Sequence, residues 1–201
     1  QAKGRGVYSF CMCPGGFIVD SSPAQGALCT NGMSLSRRGS PFANAALVVS
    51  VEPRDYLADH GNDALAGIEL QRAIERRAFD AGGGSFVAPA QRVVDFLGGR
   101  PSSEALPSSY RPRVAPGDVR GALPAFVADA LDGALARFQR ALPGFVDGGA
   151  QLVGVETRSS SPVRILRDPM TLRSPSHPGL YPAGEGAGYA GGIVSAAMDG
   201  M

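Results

Sequence analysis

Between Gly179 and Gly200 the sequence reads GLYPAGEGAGYAGGIVSAAMDG, a short apolar run feeding a glycine-rich loop that opens into a helix of small residues. Each part has a chemical use. Glycines let the backbone approach a bulky group closely, small side chains let a helix lie near a sheet, and a helix N-terminus offers N–H groups to anionic or electron-rich atoms. A flavin ring or a phosphate fits such a place. Glu185, at the end of the expected strand, is placed to accept hydrogen bonds from ribityl or ribose hydroxyls. The plain alternative is a strand, turn and helix packed tightly by glycine.

Other residues capable of chemistry are sparse. Cys11 and Cys13 alternate with Met12, so a regular strand would point both thiols to one face, at a spacing that is poor for a disulfide. With Cys29 they number three, too few for a four-cysteine metal site and an odd count for a disulfide framework. Reduced thiols are expected. His60 and His177 have no companion at metal or triad spacing and read as surface residues, although His177 lies just before the glycine-rich segment. Ser159-Ser160-Ser161 with Arg158 and Arg164 could hold an anion or form an ordinary loop. Tyr189 could cover a bound ring or plug the loop.

Four segments carry a resemblance: YSFCMCPGG at Tyr8 to Gly16, TNGMS at Thr30 to Ser34, VETRSSSPVRI at Val155 to Ile165, and the ending from Gly179 to Gly200. In this order they make the chain resemble the C-terminal part of the uncharacterised FAD-dependent dehydrogenase family of NAD(P)/FAD-dependent oxidoreductases. The resemblance implies FAD as cofactor, a small-molecule substrate, NAD(P)H as a candidate electron partner, and redox transfer through the flavin. It implies that Gly184 and Glu185 sit at the ribityl chain. Gly191, Gly192 and Ile193 would then present helix N–H groups near the pyrimidine edge, with Gly186, Gly188 and Tyr189 completing the cofactor loop. Such flavoproteins also carry a GxGxxG loop after their first strand, with an acidic residue for the adenosine ribose. Neither occurs here, so the chain is read as a fragment that depends on the rest of its own chain. A non-catalytic interaction module that keeps the glycine-rich scaffold is the rival reading.

The elements that must position this loop follow from periodicity. Val7 to Cys13 and Phe17 to Asp20 read as a hairpin around Pro14-Gly15-Gly16; Leu28 to Asn31 reads as a short strand and Ala45 to Val51 as one buried on both faces. A helix is expected from Asp63 to the glycines at 82–84, with Glu69, Arg72, Glu75, Arg76 and Arg77 on its charged face. A second is expected from Pro89 to Gly98, followed by an extended linker over 100–117 on which Tyr110 or Val114 packs. A third runs from Asp118 to Leu142, bent at Pro124. Strands at 151–157, 162–166 and 180–183 and a helix at 191–198 complete the chain. This is an α+β pattern: residues 1–150 as a mixed-sheet substrate domain with a helical insertion, and residues 151–201 as the closing strand and helix of a Rossmann-like FAD-binding α/β domain.

Composition narrows the function classes. With 201 residues and 44% hydrophobic content the chain can build a core, and its 28 glycines follow no period. A formal net charge of +1 supplies no basic stripe for nucleic acid, which weighs against a tRNA-modifying flavoprotein, and none for an anionic membrane. No apolar run is long enough to span a bilayer, and the opening Gln1-Ala2-Lys3 starts no apolar leader; a cytoplasmic home is the expectation.

Overall fold

The structure is a computed structural model that describes residues 4–201; the reading of Gln1 to Lys3 falls outside them. The chain divides into two compact units, residues 1–51 with 72–157, and residues 52–71 with 158–201.

In the first unit, β1 (Val7–Cys13), β2 (Phe17–Asp20), β3 (Thr30–Met33) and β4 (Asn44–Val49) come first in sequence. The expected β1–β2 hairpin does not form. β1 pairs antiparallel with β4 and β2 antiparallel with β3. The reason is the turn between them. Gly15 has φ of +56° and a Cβ there would stand 1.8 Å from the Arg38 carbonyl oxygen, while the Gly16 N–H donates to Phe42 O at 2.9 Å. The turn is spent on the 38–42 loop, not on joining neighbouring strands. β3 begins two residues later than expected. β4 is half-buried throughout, with Leu47 and Val49 packed against the core.

The helices follow their periodicity more closely. After a short 3₁₀ turn (Pro53–Asp55) and α1 (Leu57–His60) in the second unit, α2 (Ala66–Ala81) begins in the second unit and continues into the first. It buries Leu70, Ile74 and Ala78, and with them Glu75, which the charged-face reading had placed in solvent. Glu75 is tolerated because the Thr157 hydroxyl donates to its Oε1 at 2.6 Å.

Pro89 does not open a helix. It lies in β5 (Ala88–Arg92), the centre of a three-stranded sheet with β6 (Val114–Pro116) parallel on one side and β7 (Gln151–Val153) antiparallel on the other. A proline fits there because the position is used as an acceptor, Gly154 N–H donating to Pro89 O at 3.1 Å. The helix is shorter, α3 (Val93–Leu97), and the third expected helix splits at Leu123-Pro124 into α4 (Val119–Ala122) and α5 (Ala125–Ala141). Val93 and Phe96 of α3 meet Ala128, Leu131 and Leu135 of α5 to form the core, flanked by Val7, Leu47 and Val49 from the β1–β4 ribbon. The linker packs as expected: Tyr110 is buried, its hydroxyl donates to Phe86 O at 2.9 Å, and burial first, then Asp20 and Cys29, push its pKa up to about 12.

In the second unit the expected strands at 162–166 and 180–183 are absent among the described residues. Single bridges replace a ladder, Ile165 N–H to Ala187 O and Ser174 N–H to Leu180 O, and Pro162, Pro178 and Pro182 remove donors that a ladder would need. The helix does form, as α6 (Ile193–Asp199). Mixed α and β structure therefore stands, in small sheets. No helix of the described residues is long and apolar enough to cross a membrane.

Candidate functional site

The glycine-rich loop of the second unit is held by two arginines that lie before it in sequence. Arg164 Nε donates to Gly188 O at 3.0 Å. Arg167 Nη1 donates to Pro182 O at 2.8 Å and to Asp199 Oδ2 at 2.9 Å, and its Nη2 to Asp199 Oδ1 at 2.6 Å. Both guanidinium groups stand over the Tyr189 ring, Arg167 at 3.8 Å and Arg164 at 5.0 Å from its centroid. The Tyr189 hydroxyl in turn donates to Ile165 O at 3.1 Å. Sequence reasoning singled out Arg164 and missed Arg167 and Asp199; the signal was a cation before the loop and a carboxylate after it, at opposite ends of a glycine-rich stretch.

Asp199 closes the clamp from α6. It accepts the Gly184 N–H at 2.8 Å as well as the arginine fork. The Arg167 hydrogen bonds, then the Gly184 N–H, hold its carboxyl below the ordinary aspartate range.

The eight loop residues fall into two sets. Gly184, Gly188 and Tyr189 are engaged by the chain itself. Gly184 (φ +74°) and Gly188 (φ +82°) adopt left-handed backbone, a Cβ on Gly188 would stand 2.5 Å from Val163 O, and Tyr189 fills the loop beneath the arginines. At Gly186, Gly191 and Gly192 neither a positive φ nor a clash with an added Cβ calls for glycine, and Glu185 and Ile193 complete the second set. A Cβ added to Gly186 or Gly191 would meet nothing within 4 Å, and the nearest atom to one on Gly192 would be Ser195 Oγ at 3.6 Å. Neither Gly186 nor Gly191 is among the positive-φ residues, so the chain's own packing demands no glycine at these two positions. Ile193 is 91% exposed and Val194 72%. Glu185 is half-buried, its carbonyl accepting the Gly188 N–H.

The remaining candidates are dispersed. His177 is exposed and shares a 2.9 Å hydrogen bond with Ser176; His60 lies at the end of α1. In the serine segment, Ser161 Oγ donates to Val163 O, and Ser159 Oγ is a buried hydroxyl with no hydrogen-bond partner. None of the cysteines forms a disulfide. Cys11 and Cys13 do not share a face: Cys11 has φ of +53° and is exposed, Cys13 is buried, and the β1–β4 register breaks between Phe10 and Cys13. Among the described residues no group of three or more His, Cys, Asp or Glu could hold a metal ion.

Residues 1–159 match the family described as FAD-dependent protein, C-terminal domain-like. The chain belongs to this family. A curated relative from Clostridium beijerinckii (strain ATCC 51743 / NCIMB 8052), described as an uncharacterized protein, is 46% identical over 200 residues. That alignment covers 98% of this chain and 37% of the relative, so the chain spans little more than a third of the curated relative it matches. The glycine-rich loop lies beyond the family match but within the alignment to the relative.

Gly186 and Gly191 face open space, where an added Cβ would meet no atom of the chain, and Ile193 close by is exposed.

Proposed function

We propose that this chain is the C-terminal part of a flavin-dependent oxidoreductase that presents the loop from Gly184 to Ile193 to FAD. The observation that carries this is the contrast within the loop. Gly184 and Gly188 are required by the chain's own backbone, whereas Gly186 and Gly191 are glycine where nothing in the chain requires it. A close-approaching group outside the chain accounts for them. Membership of an FAD-dependent family supports the identity of that group. FAD, when bound, supplies a two-electron carrier. Glu185 would accept hydrogen bonds from ribityl hydroxyls, and Gly191, Gly192 and Ile193 would bring backbone N–H groups to the ring edge. Arg164, Arg167 and Asp199 keep the loop in shape, and Tyr189 is their platform. A small-molecule substrate, NAD(P)H as electron partner, the closing Rossmann-like unit and a cytoplasmic setting belong to the same proposal.

Flavin absorbance per protein, measured on the complete gene product, tests it. Gly192→Val and Gly191→Val should lower occupancy strongly. Glu185→Gln should lower it mildly, because the amide oxygen still accepts and only the charge-assisted part is lost, about 1 kcal/mol. Gly83→Ala, in the first unit, should leave it unchanged. Equal occupancy in all of these variants would leave the loop as structural packing and favour an interaction module.

A further inference from the structure

We infer that α6 docks through Val194, Ala197 and Met198 against the part of its own polypeptide that precedes Gln1. This rests on the reading of the chain as a C-terminal part and does not depend on the cofactor. α6 has an inward and an outward side. Ala196 and Asp199 face inward: a Cβ on Gly184 would meet Ala196 Cβ at 3.6 Å, and Asp199 carries the Arg167 fork and the Gly184 N–H. At about 100° per residue, Val194 and Met198 stand on the side opposite Ala196, with Ala197 beside them and Met201 continuing the spacing one turn on. Val194 is 72% exposed, Met198 65% and Met201 97%.

The two long helices do the reverse. α2 turns Arg72, Arg76, Arg77 and Asp80 to solvent, and α5 turns Arg137 and Arg140. α6 has one charged residue, Asp199, and it is spent inward. A helix that is apolar on its outward side as well as its inward one belongs in an interior, yet among the described residues nothing covers Val194 or Met198.

Charge, area and chain length choose the occupant. A membrane surface asks for Lys or Arg along the edge of the helix, and α6 has neither. A second copy would need roughly 800 Å² from each partner, more than two turns of helix with these side chains can offer. A segment of the same polypeptide needs less, because the chain itself holds it at high effective concentration. The length for it exists: this chain aligns with 37% of the curated relative, and its family match is to a C-terminal domain, so the docking segment is an N-terminal one. The surface that receives Val194 and Met198 is apolar and uncharged, since a charge buried there would find no partner on α6.

The complete gene product, grown with photo-methionine in place of methionine and illuminated, tests this by mass spectrometry of the tryptic fragment that begins at Ser174. The expected result is a cross-link from Met198 to a peptide preceding Gln1. In an equal mixture with protein labelled with heavy nitrogen, a cross-link joining light to heavy fragments would reveal a second copy and overturn the inference. Quenching by water alone, or cross-links confined to residues 1–201, would overturn it too. Met198→Glu should lower the thermal midpoint by several degrees, because it buries a carboxylate against apolar surface, and Met198→Leu should change it much less. An unchanged midpoint in Met198→Glu would show the face open to water and sink the docking. Flavin absorbance on the same sample separates the two readings: bound flavin without the cross-link overturns the docking alone, and the cross-link without flavin supports the docking and removes the cofactor.

Discussion

Arg167 and Asp199 meet as a two-pronged ion pair, with N–O distances of 2.6 and 2.9 Å, across a separation of 32 residues. Because Asp199 also accepts the Gly184 N–H and Arg167 also covers the Tyr189 ring, this one pair ties α6 to the start and end of the glycine-rich loop. Removing either partner leaves the other poorly compensated. Asp199→Ala should therefore lower hydrogen-exchange protection of the Gly184 amide roughly tenfold, since that N–H loses its charged acceptor. Arg167→Lys should fall between wild type and Arg167→Ala, because lysine keeps the charge and loses the fork.

Acid acts on two carboxyls with opposite sign. Asp199 is held below its ordinary value of 3.8, first by the Arg167 hydrogen bonds, so its contribution to the loop is fully present above that value and is lost as pH falls through the lower folded value. Glu156 is raised above its ordinary 4.5 by burial. Its ionised form opposes folding at neutral pH, and that penalty is relieved as pH falls through the raised value towards 4.5. Glu156→Gln should raise the urea midpoint at pH 7 and change it little at pH 4. Gly184 amide protection, followed against pH, should decline below 3.8 in wild type and stay flat in Asp199→Asn.

Gln91 is fully buried in β5, where its Nε2 donates to Arg100 O at 2.8 Å and its Oε1 accepts the Arg120 N–H at 2.9 Å. One side chain thus satisfies backbone groups on both sides of the linker. Gln91→Leu keeps the volume and strands both groups, at a cost of about 3 kcal/mol. Chemical denaturation measures it; a change below about 0.5 kcal/mol would show that water replaces both bonds.

Two neighbouring glycines at the end of α2 separate a clash from a backbone preference. A Cβ on Gly82 would stand 1.7 Å from Val87 O, whereas one on Gly83 meets nothing, although Gly83 has φ of +91°. Gly82→Ala should destabilise by about 3 kcal/mol through forced backbone displacement, and Gly83→Ala by about 1 kcal/mol through its left-handed backbone alone. The two denaturation midpoints check the order.

The sequence by itself determined those features whose information is local. Four motifs pointed to the FAD-dependent family. The spacing of Leu65, Ile68, Ala73 and Ile74, and of Leu131 and Leu135, marked α2 and α5, because a helix brings residues three and four apart onto one face wherever it lies. The small-residue helix after Gly192 was legible for the same reason. Tertiary structure decided what depends on distant partners. The pairing of β1 with β4 and β2 with β3 follows from where the 38–42 loop meets Gly15 and Gly16. Pro89 became a strand residue because Gly154 came to donate to it, and Glu75 became a core residue because Thr157 reached it. Arg167 and Asp199 were ordinary charges until the loop closed between them. Strand ladders and ion pairs join groups dozens of residues apart, and nothing in the local spacing of either partner records which groups the folded chain will bring together.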